Sequence, residues 1–265
     1  MSKSVVLFAV TSLVSVAALA DDPAPPPPPP FTGNLALTSN YKFRGQDQGS
    51  WDPAKTFRPA VQGGFDWTLD GFYLGNWNSS IGWLSGSSVE MDFYGGYRGE
   101  IVKDLGYDVG ILRYQYVGSA AANTTEIYGA VSYGPGSIKY SHTVSQDYFG
   151  TAGTAFGSGF KGRNTGYLDL SVNYPVIDVL TINGHLGYTH FASALRDNVP
   201  DTNLGFLPSY YDYKIGVTYD LSKFAAGTTI AGAIVGANKK NSFNLSTDGT
   251  SVNKARFIVT LTKTL

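Results

Sequence analysis

With 265 residues and no cysteine, the chain has room for a leader and one domain, and no disulfides to hold it. A formal charge of −1, from 19 basic and 20 acidic residues, argues against nucleic acid or another polyanion as a partner. A mean hydropathy of −0.08 is far from that of a helical membrane protein, while 32 glycines, 18 tyrosines and 15 phenylalanines suit an all-β chain with tight packing and aromatic belts.

The chain opens with a secretory signal over residues 1–20. Lys3 supplies the positive charge, Val5 to Val16 the apolar stretch, and Ala18-Leu19-Ala20 a small-x-small cleavage site before Asp21. The apolar run is too short for a membrane helix. Residues 21–32 form a proline-rich leader. Pro25 to Pro30 favour an extended polyproline II rod, read as a stiff periplasmic spacer or, more sharply, a docking site for a periplasmic partner.

From residue 33 to 265 the pattern changes to a two-residue alternation. In Asn34 to Arg44, Leu35, Leu37, Tyr41 and Phe43 fall on one face; Asn34, Thr38, Asn40, Lys42 and Arg44 fall on the other. Successive side chains of a strand point to opposite faces, so the segment has one apolar and one polar surface. Val89 to Arg98 repeats it, with Val89, Met91, Phe93 and Tyr97 against Glu90, Asp92, Tyr94 and Arg98. About twelve such strands follow, at 34–44, 59–68, 72–81, 89–98, 107–116, 125–133, 137–145, 167–174, 180–190, 210–219, 228–237 and 254–265. The connections alternate: after odd-numbered strands they run roughly 7 to 20 residues, after even-numbered ones roughly 3 to 8. Trp67, Tyr73, Tyr97, Tyr107, Tyr174 and Tyr219 cluster at the short turns. Tyr41, Phe43, Tyr188, Phe191 and Tyr211 lie at the opposite ends. Two aromatic belts would produce this. The fold class expected is therefore all-β, a transmembrane antiparallel up-and-down β-barrel in the bacterial outer membrane. A soluble β-sandwich also alternates; export, loop lengths and belts favour the barrel.

The polar faces collect the charges. Lys42, Arg44, Arg98, Lys139, Lys214 and Arg256 stand against Asp66, Glu90, Asp92, Asp108, Glu126, Asp169 and Asp212, with His185 as a titrating addition. Each Arg or Lys facing mid-membrane lipid would cost roughly 2–4 kcal/mol, which fixes this face as the interior. These are the pore-lining candidates. Their signs nearly cancel, so weak ion selectivity is expected. The competing reading is an ion-pair network that fills the lumen of a structural or adhesive barrel.

Other motifs are decoys. Gly157, Gly159 and Gly162 spell GxGxxG, but the phosphate-binding motif needs a strand before it and a helix after it, and this one is expected in a long loop of an exported chain. His142, His185 and His190 lack metal-ligand spacing. Ser141 and His142 are strand neighbours and point to opposite faces. A barrel-embedded hydrolase would need a nucleophile, base and orienting group at one rim, and none converges. No catalytic, cofactor-binding or metal residue is assigned.

The order and texture of GNLALTSNYKFRG (33–45), VEMDFYGGYRG (89–99), YDVGILRYQY (107–116), LTINGHLGYTHF (180–191) and RFIVTLTKTL (256–265) resemble the TorF-family porins of Gram-negative bacteria. The resemblance implies an outer-membrane barrel passing small hydrophilic solutes or ions by diffusion, surrounded by outer-membrane lipid. It implies no catalytic residue and no cofactor. The C-terminal strand would engage the barrel-assembly machinery, although Leu265 stands where such barrels usually end in phenylalanine.

Overall fold

The computed structural model describes residues 30–49, 57–150, 161–196, 200–201, 205–206, 209–238 and 254–265. The expected signal and most of the expected leader lie outside these residues, as do Gly157 and Gly159. In chain order the strands are β1 (Phe31–Thr38), β2 (Lys42–Phe43), β3 (Gln46–Asp47), β4 (Ala60–Leu69), β5 (Phe72–Ser80), β6 (Val89–Val102), β7 (Leu105–Tyr116), β8 (Thr124–Tyr133), β9 (Gly136–Thr143), β10 (Gly166–Ile177), β11 (Leu180–His190), β12 (Pro200–Asp201), β13 (Gly205–Phe206), β14 (Tyr210–Asp220), β15 (Thr228–Ala237) and β16 (Arg256–Thr264). One helical turn, α1 (Ser193–Arg196), packs at a barrel mouth.

Twelve strands close into an antiparallel barrel. The short pairs β2–β3 and β12–β13 stand apart from it. Closure is made by β1, which pairs with β4 and with β16, so Leu37 has Val61 on one side and Leu261 on the other. The barrel itself has no open edge, which removes the unpaired amides that make open sheets sticky. Asp70 and Gly71 both adopt positive φ, 48° and 87°, and close the β4–β5 hairpin in the twist that two-residue turns prefer. Short turns gather at one end of the barrel and longer connections at the other, in the order the sequence spacing implies.

The alternation is realised wall by wall. Leu37, Leu74, Ile215 and Phe257 are all more than half exposed on the outer face. Few soluble proteins carry so continuous an apolar surface. The packed core lies inside the barrel at the long-loop end, in one cluster around Tyr41, Trp77, Tyr114 and Tyr116 and a second around Tyr148, Phe191, Leu195 and Tyr210.

Two expectations change. The first strand ends at Thr38, not at residue 44, and starts at Phe31, inside the expected leader, where Phe31 stacks on Phe65 at 5.6 Å. Beyond Thr38 the chain turns into the lumen. Arg44 and Gly45, at φ 46° and 76°, form the tip of the β2–β3 hairpin. The alternation ran on past Thr38 because a hairpin packed inside a barrel also sorts aromatic from charged side chains. The second change concerns the belts. Tyr41, Phe43, Tyr73 and Phe191 belong to the interior, not to the outer rims. Tyrosine hydroxyls seek polar partners when buried, and here the lumen supplies carboxylates.

Candidate functional site: the lumen and its inward hairpin

The hairpin formed by residues 39–49 crosses the lumen at the long-loop end. Arg44, Gln46 and Asp47 fix it to different parts of the wall. Arg44 reaches β8 and donates two nearly parallel hydrogen bonds to Glu126, Nη1 to Oε1 at 3.0 Å and Nη2 to Oε2 at 2.7 Å. Nη1 also donates to the Tyr148 hydroxyl at 3.3 Å, and the guanidinium lies 4.1 Å from the centre of the Tyr167 ring. Burial opposes the Arg44 charge, but Glu126 outweighs it and holds the guanidinium pKa above its ordinary value. Gln46 Nε2 donates to the Tyr210 hydroxyl at 2.7 Å. Asp47 sits between Lys42 Nζ and Arg256 Nε, both at 3.3 Å. Burial pulls Lys42 down to about 8, with Asp47 opposing and Arg256 and Arg58 adding to the fall. The tip itself touches the far wall: a Cβ on Gly45 would stand 2.8 Å from Asp212 Cβ and 2.9 Å from Ala237 Cβ.

Beneath the hairpin the lumen holds a cavity of about 400 Å³. One wall is charged. Asp108, Lys139, Asp169, His185 and Lys214 follow one another around β7, β9, β10, β11 and β14. In the register Lys139 faces Asp169 and His185 faces Lys214. The facing wall, from β15, β16 and β1, offers Ala231, Ala233, Thr260, Thr262, Asn34 and Ala36. A half-ring of charges of both signs therefore looks across the cavity at a small, uncharged surface.

Within the charged wall His185 is clamped. Its Nδ1 lies 3.2 Å from Asp169 Oδ2 and its Nε2 lies 2.8 Å from Asp212 Oδ1. Ser171 Oγ is 3.3 Å from Nδ1 but donates to Asp169 Oδ1 at 2.6 Å. Serine, histidine and aspartate thus come together without the order a nucleophile needs. Both ring nitrogens face carboxylate acceptors, so neither is free to take a hydroxyl proton.

Of the candidates read from sequence, twelve project inward from the wall strands: Asp66, Glu90, Asp92, Arg98, Asp108, Glu126, Lys139, Asp169, His185, Asp212, Lys214 and Arg256. Lys42 and Arg44 enter the lumen from the hairpin instead. Glu90, Asp92 and Glu126 are sealed at 1% exposure among the aromatic side chains of the long-loop end, away from the open cavity. Asp66 and Arg98 lie toward the short turns, where Tyr94 donates to Asp66 at 2.6 Å and Arg98 lies over the Tyr73 ring at 5.1 Å. Sequence reasoning missed Asp47 and the inward tyrosines Tyr73, Tyr128, Tyr167 and Tyr210. For Tyr128 the signal was present: it shares parity with Glu126 two residues earlier.

A closed twelve-stranded barrel with an apolar outer face, a polar lumen and an inward-folded hairpin defines the class as porin-like β-barrels. Two solved porins share the fold. The KdgM porin superposes with a TM-score of 0.53 at 10% identity, over 88% of this chain and 98% of that one. The NanC porin gives 0.54 at 11% identity, over 88% and 97%. The chain belongs to a bacterial protein family of unknown function, Gcw_chp, whose profile matches residues 22–265. Comparison with curated proteins gives no significant match.

Proposed function

We propose that the protein is an outer-membrane porin that lets small hydrophilic solutes or ions diffuse through a lumen narrowed by the hairpin of residues 39–49. The single observation that carries this reading is the cavity beneath the hairpin, walled by charged and hydroxyl side chains inside a barrel whose outer face is apolar. The resemblance to TorF-family porins and the shared fold of the two solved porins support it. The charged half-ring carries both signs, so selectivity is weak and set by the narrow end. Lys42, Arg44, Asp47, Glu126 and Arg256 carry charge there. The reading is non-enzymatic, since the His185 clamp leaves no base beside Ser171.

A second reading keeps the barrel and closes the pore. The Arg44–Glu126 pair and the contact of Gly45 with Asp212 and Ala237 both span the lumen, as a structural barrel with a filled mouth would require. Conductance of the purified mature protein in planar bilayers separates the two. Discrete channel steps support the porin; silence in both wild type and a hairpin-released variant supports the structural barrel.

A further inference from the structure

Glu90 and Asp92 lie two apart on β6, so their side chains share the inner face. Both are 1% exposed. The Tyr41 hydroxyl donates to Glu90 Oε1 at 3.0 Å, and the Tyr116 hydroxyl lies close to the same carboxylate. Glu90 Oε2 and both oxygens of Asp92 have no hydrogen-bond partner. The cations of the hairpin are committed elsewhere, Arg44 to Glu126 and Lys42 to Asp47. Around them stand Trp77, opposite Asp92 in the strand register, the aromatic rings of Tyr41, Tyr114 and Tyr116, and Ser79, opposite Glu90.

Three carboxylate oxygens without a hydrogen-bond partner at a buried site are too costly to leave charged and uncompensated, so they are neutralised either by protons or by a cation. A small cation would satisfy them, and its chemistry follows from the donors. Carboxylate and phenol oxygens are hard ligands, suited to a hard divalent ion and not to a thiophilic metal. Two carboxylates match a double positive charge. Calcium fits better than magnesium, because it accepts irregular oxygen geometry where magnesium demands a near-ideal octahedron. We propose that Glu90 and Asp92 form a binding site for Ca²⁺. Through the Tyr41–Glu90 hydrogen bond, the ion would tie the root of the hairpin to β6. The site stands whether or not the barrel conducts, because it is defined by burial and unpaired oxygens and not by the pore.

Refolded protein in detergent free of lipopolysaccharide is titrated with Tb³⁺, with tryptophan excitation to sensitise the lanthanide from Trp77. Wild type should give saturable emission that Ca²⁺ displaces, and Ca²⁺ should raise its unfolding temperature above that in EDTA. Glu90→Gln/Asp92→Asn should fold into a heat-modifiable barrel and lose more than about tenfold in Tb³⁺ affinity, with no response to Ca²⁺. The single variant Asp92→Asn gives the same readout should the double variant fail to fold. Asp70→Asn, at the short-turn end, should behave as wild type. Unsaturable emission in wild type, or equal Ca²⁺ stabilisation of wild type and Asp92→Asn, overturns the site. So does a double variant more stable than a wild type indifferent to Ca²⁺, which would show two carboxyl groups held by protons alone.

Discussion

Arg44 and Glu126 are 82 positions apart in sequence and meet through two hydrogen bonds of 3.0 and 2.7 Å across the mouth of the barrel. Both side chains are nearly fully buried. The pair joins the tip of the hairpin to β8 and so sets how far the hairpin reaches over the lumen. A bidentate guanidinium–carboxylate contact fixes orientation as well as distance, which a lysine at the same position would not do.

Arg44→Ala should therefore release the hairpin. Removing one partner of a buried pair leaves the other uncompensated, at a cost of about 3–5 kcal/mol. The expected outcome is a lower unfolding temperature and a larger single-channel conductance with more current noise. Arg44→Lys should lie between wild type and the alanine variant. Unchanged conductance in Arg44→Ala would mean that the hairpin does not limit flow.

The barrel was legible in the sequence because its code is local. Leu35 and Leu37 against Asn34 and Ala36 state the two faces outright, and Asp70-Gly71 marks a tight turn. The hairpin was not legible, because period two carries no depth. Tyr41 and Phe43 alternate with Lys42 and Arg44 as lipid-facing residues would, yet their surroundings are Trp77, Tyr114 and Phe149. Period two sorts the wall charges from the apolar residues but names none of their partners. Parity says inward, but only folding brings Arg44 to Glu126 or Asp47 to Arg256.

Lys42 gives the mouth a pH dependence. Burial lowers it to about 8, so its charge is present below that pH and lost above it. Asp47 then keeps its contact with Arg256, and the mouth becomes more negative. Reversal potentials across a salt gradient should shift toward cation preference between pH 7 and 9, roughly one unit on either side of the titration. The shift should shrink at 1 M salt, where the screening length falls to about 3 Å. Lys42→Arg should abolish it, since arginine keeps its charge throughout. A shift that persists in Lys42→Arg would assign the titration to another group.

The two faces of the wall should respond oppositely to charge. Ile215 is 63% exposed on the outer face, whereas Thr229 lines the cavity. Ile215→Arg should fail to assemble or lose about 2–4 kcal/mol if that face meets mid-membrane lipid. Thr229→Arg should assemble and raise anion preference. Heat-modifiable migration in detergent gels reads assembly for both. Equal damage from the two substitutions would argue against lipid around the barrel.

The contact at Gly45 gives the sharpest test of whether the hairpin is seated on the far wall. Its φ of 76° is one that a β-branched residue resists, and a Cβ there would stand 2.8 Å from Asp212 Cβ and 2.9 Å from the Gly236 carbonyl oxygen. Real side chains do not approach so closely. Gly45→Val must therefore move either the hairpin tip or β14 and β15, which are held on both sides by barrel pairing. The hairpin is the softer element, so it should lift. Backbone strain of about 1–3 kcal/mol adds to the displacement. The expected result is a conductance increase like that of Arg44→Ala, with the barrel intact by heat-modifiability. Combining Gly45→Val with Arg44→Ala should add little, because both act on one contact surface. Gly129→Ala is the control, since a Cβ there meets nothing within 4 Å. Wild-type conductance in Gly45→Val would show that the tip does not rest on Asp212 in the membrane, and the hairpin could not then be the narrow point of the pore.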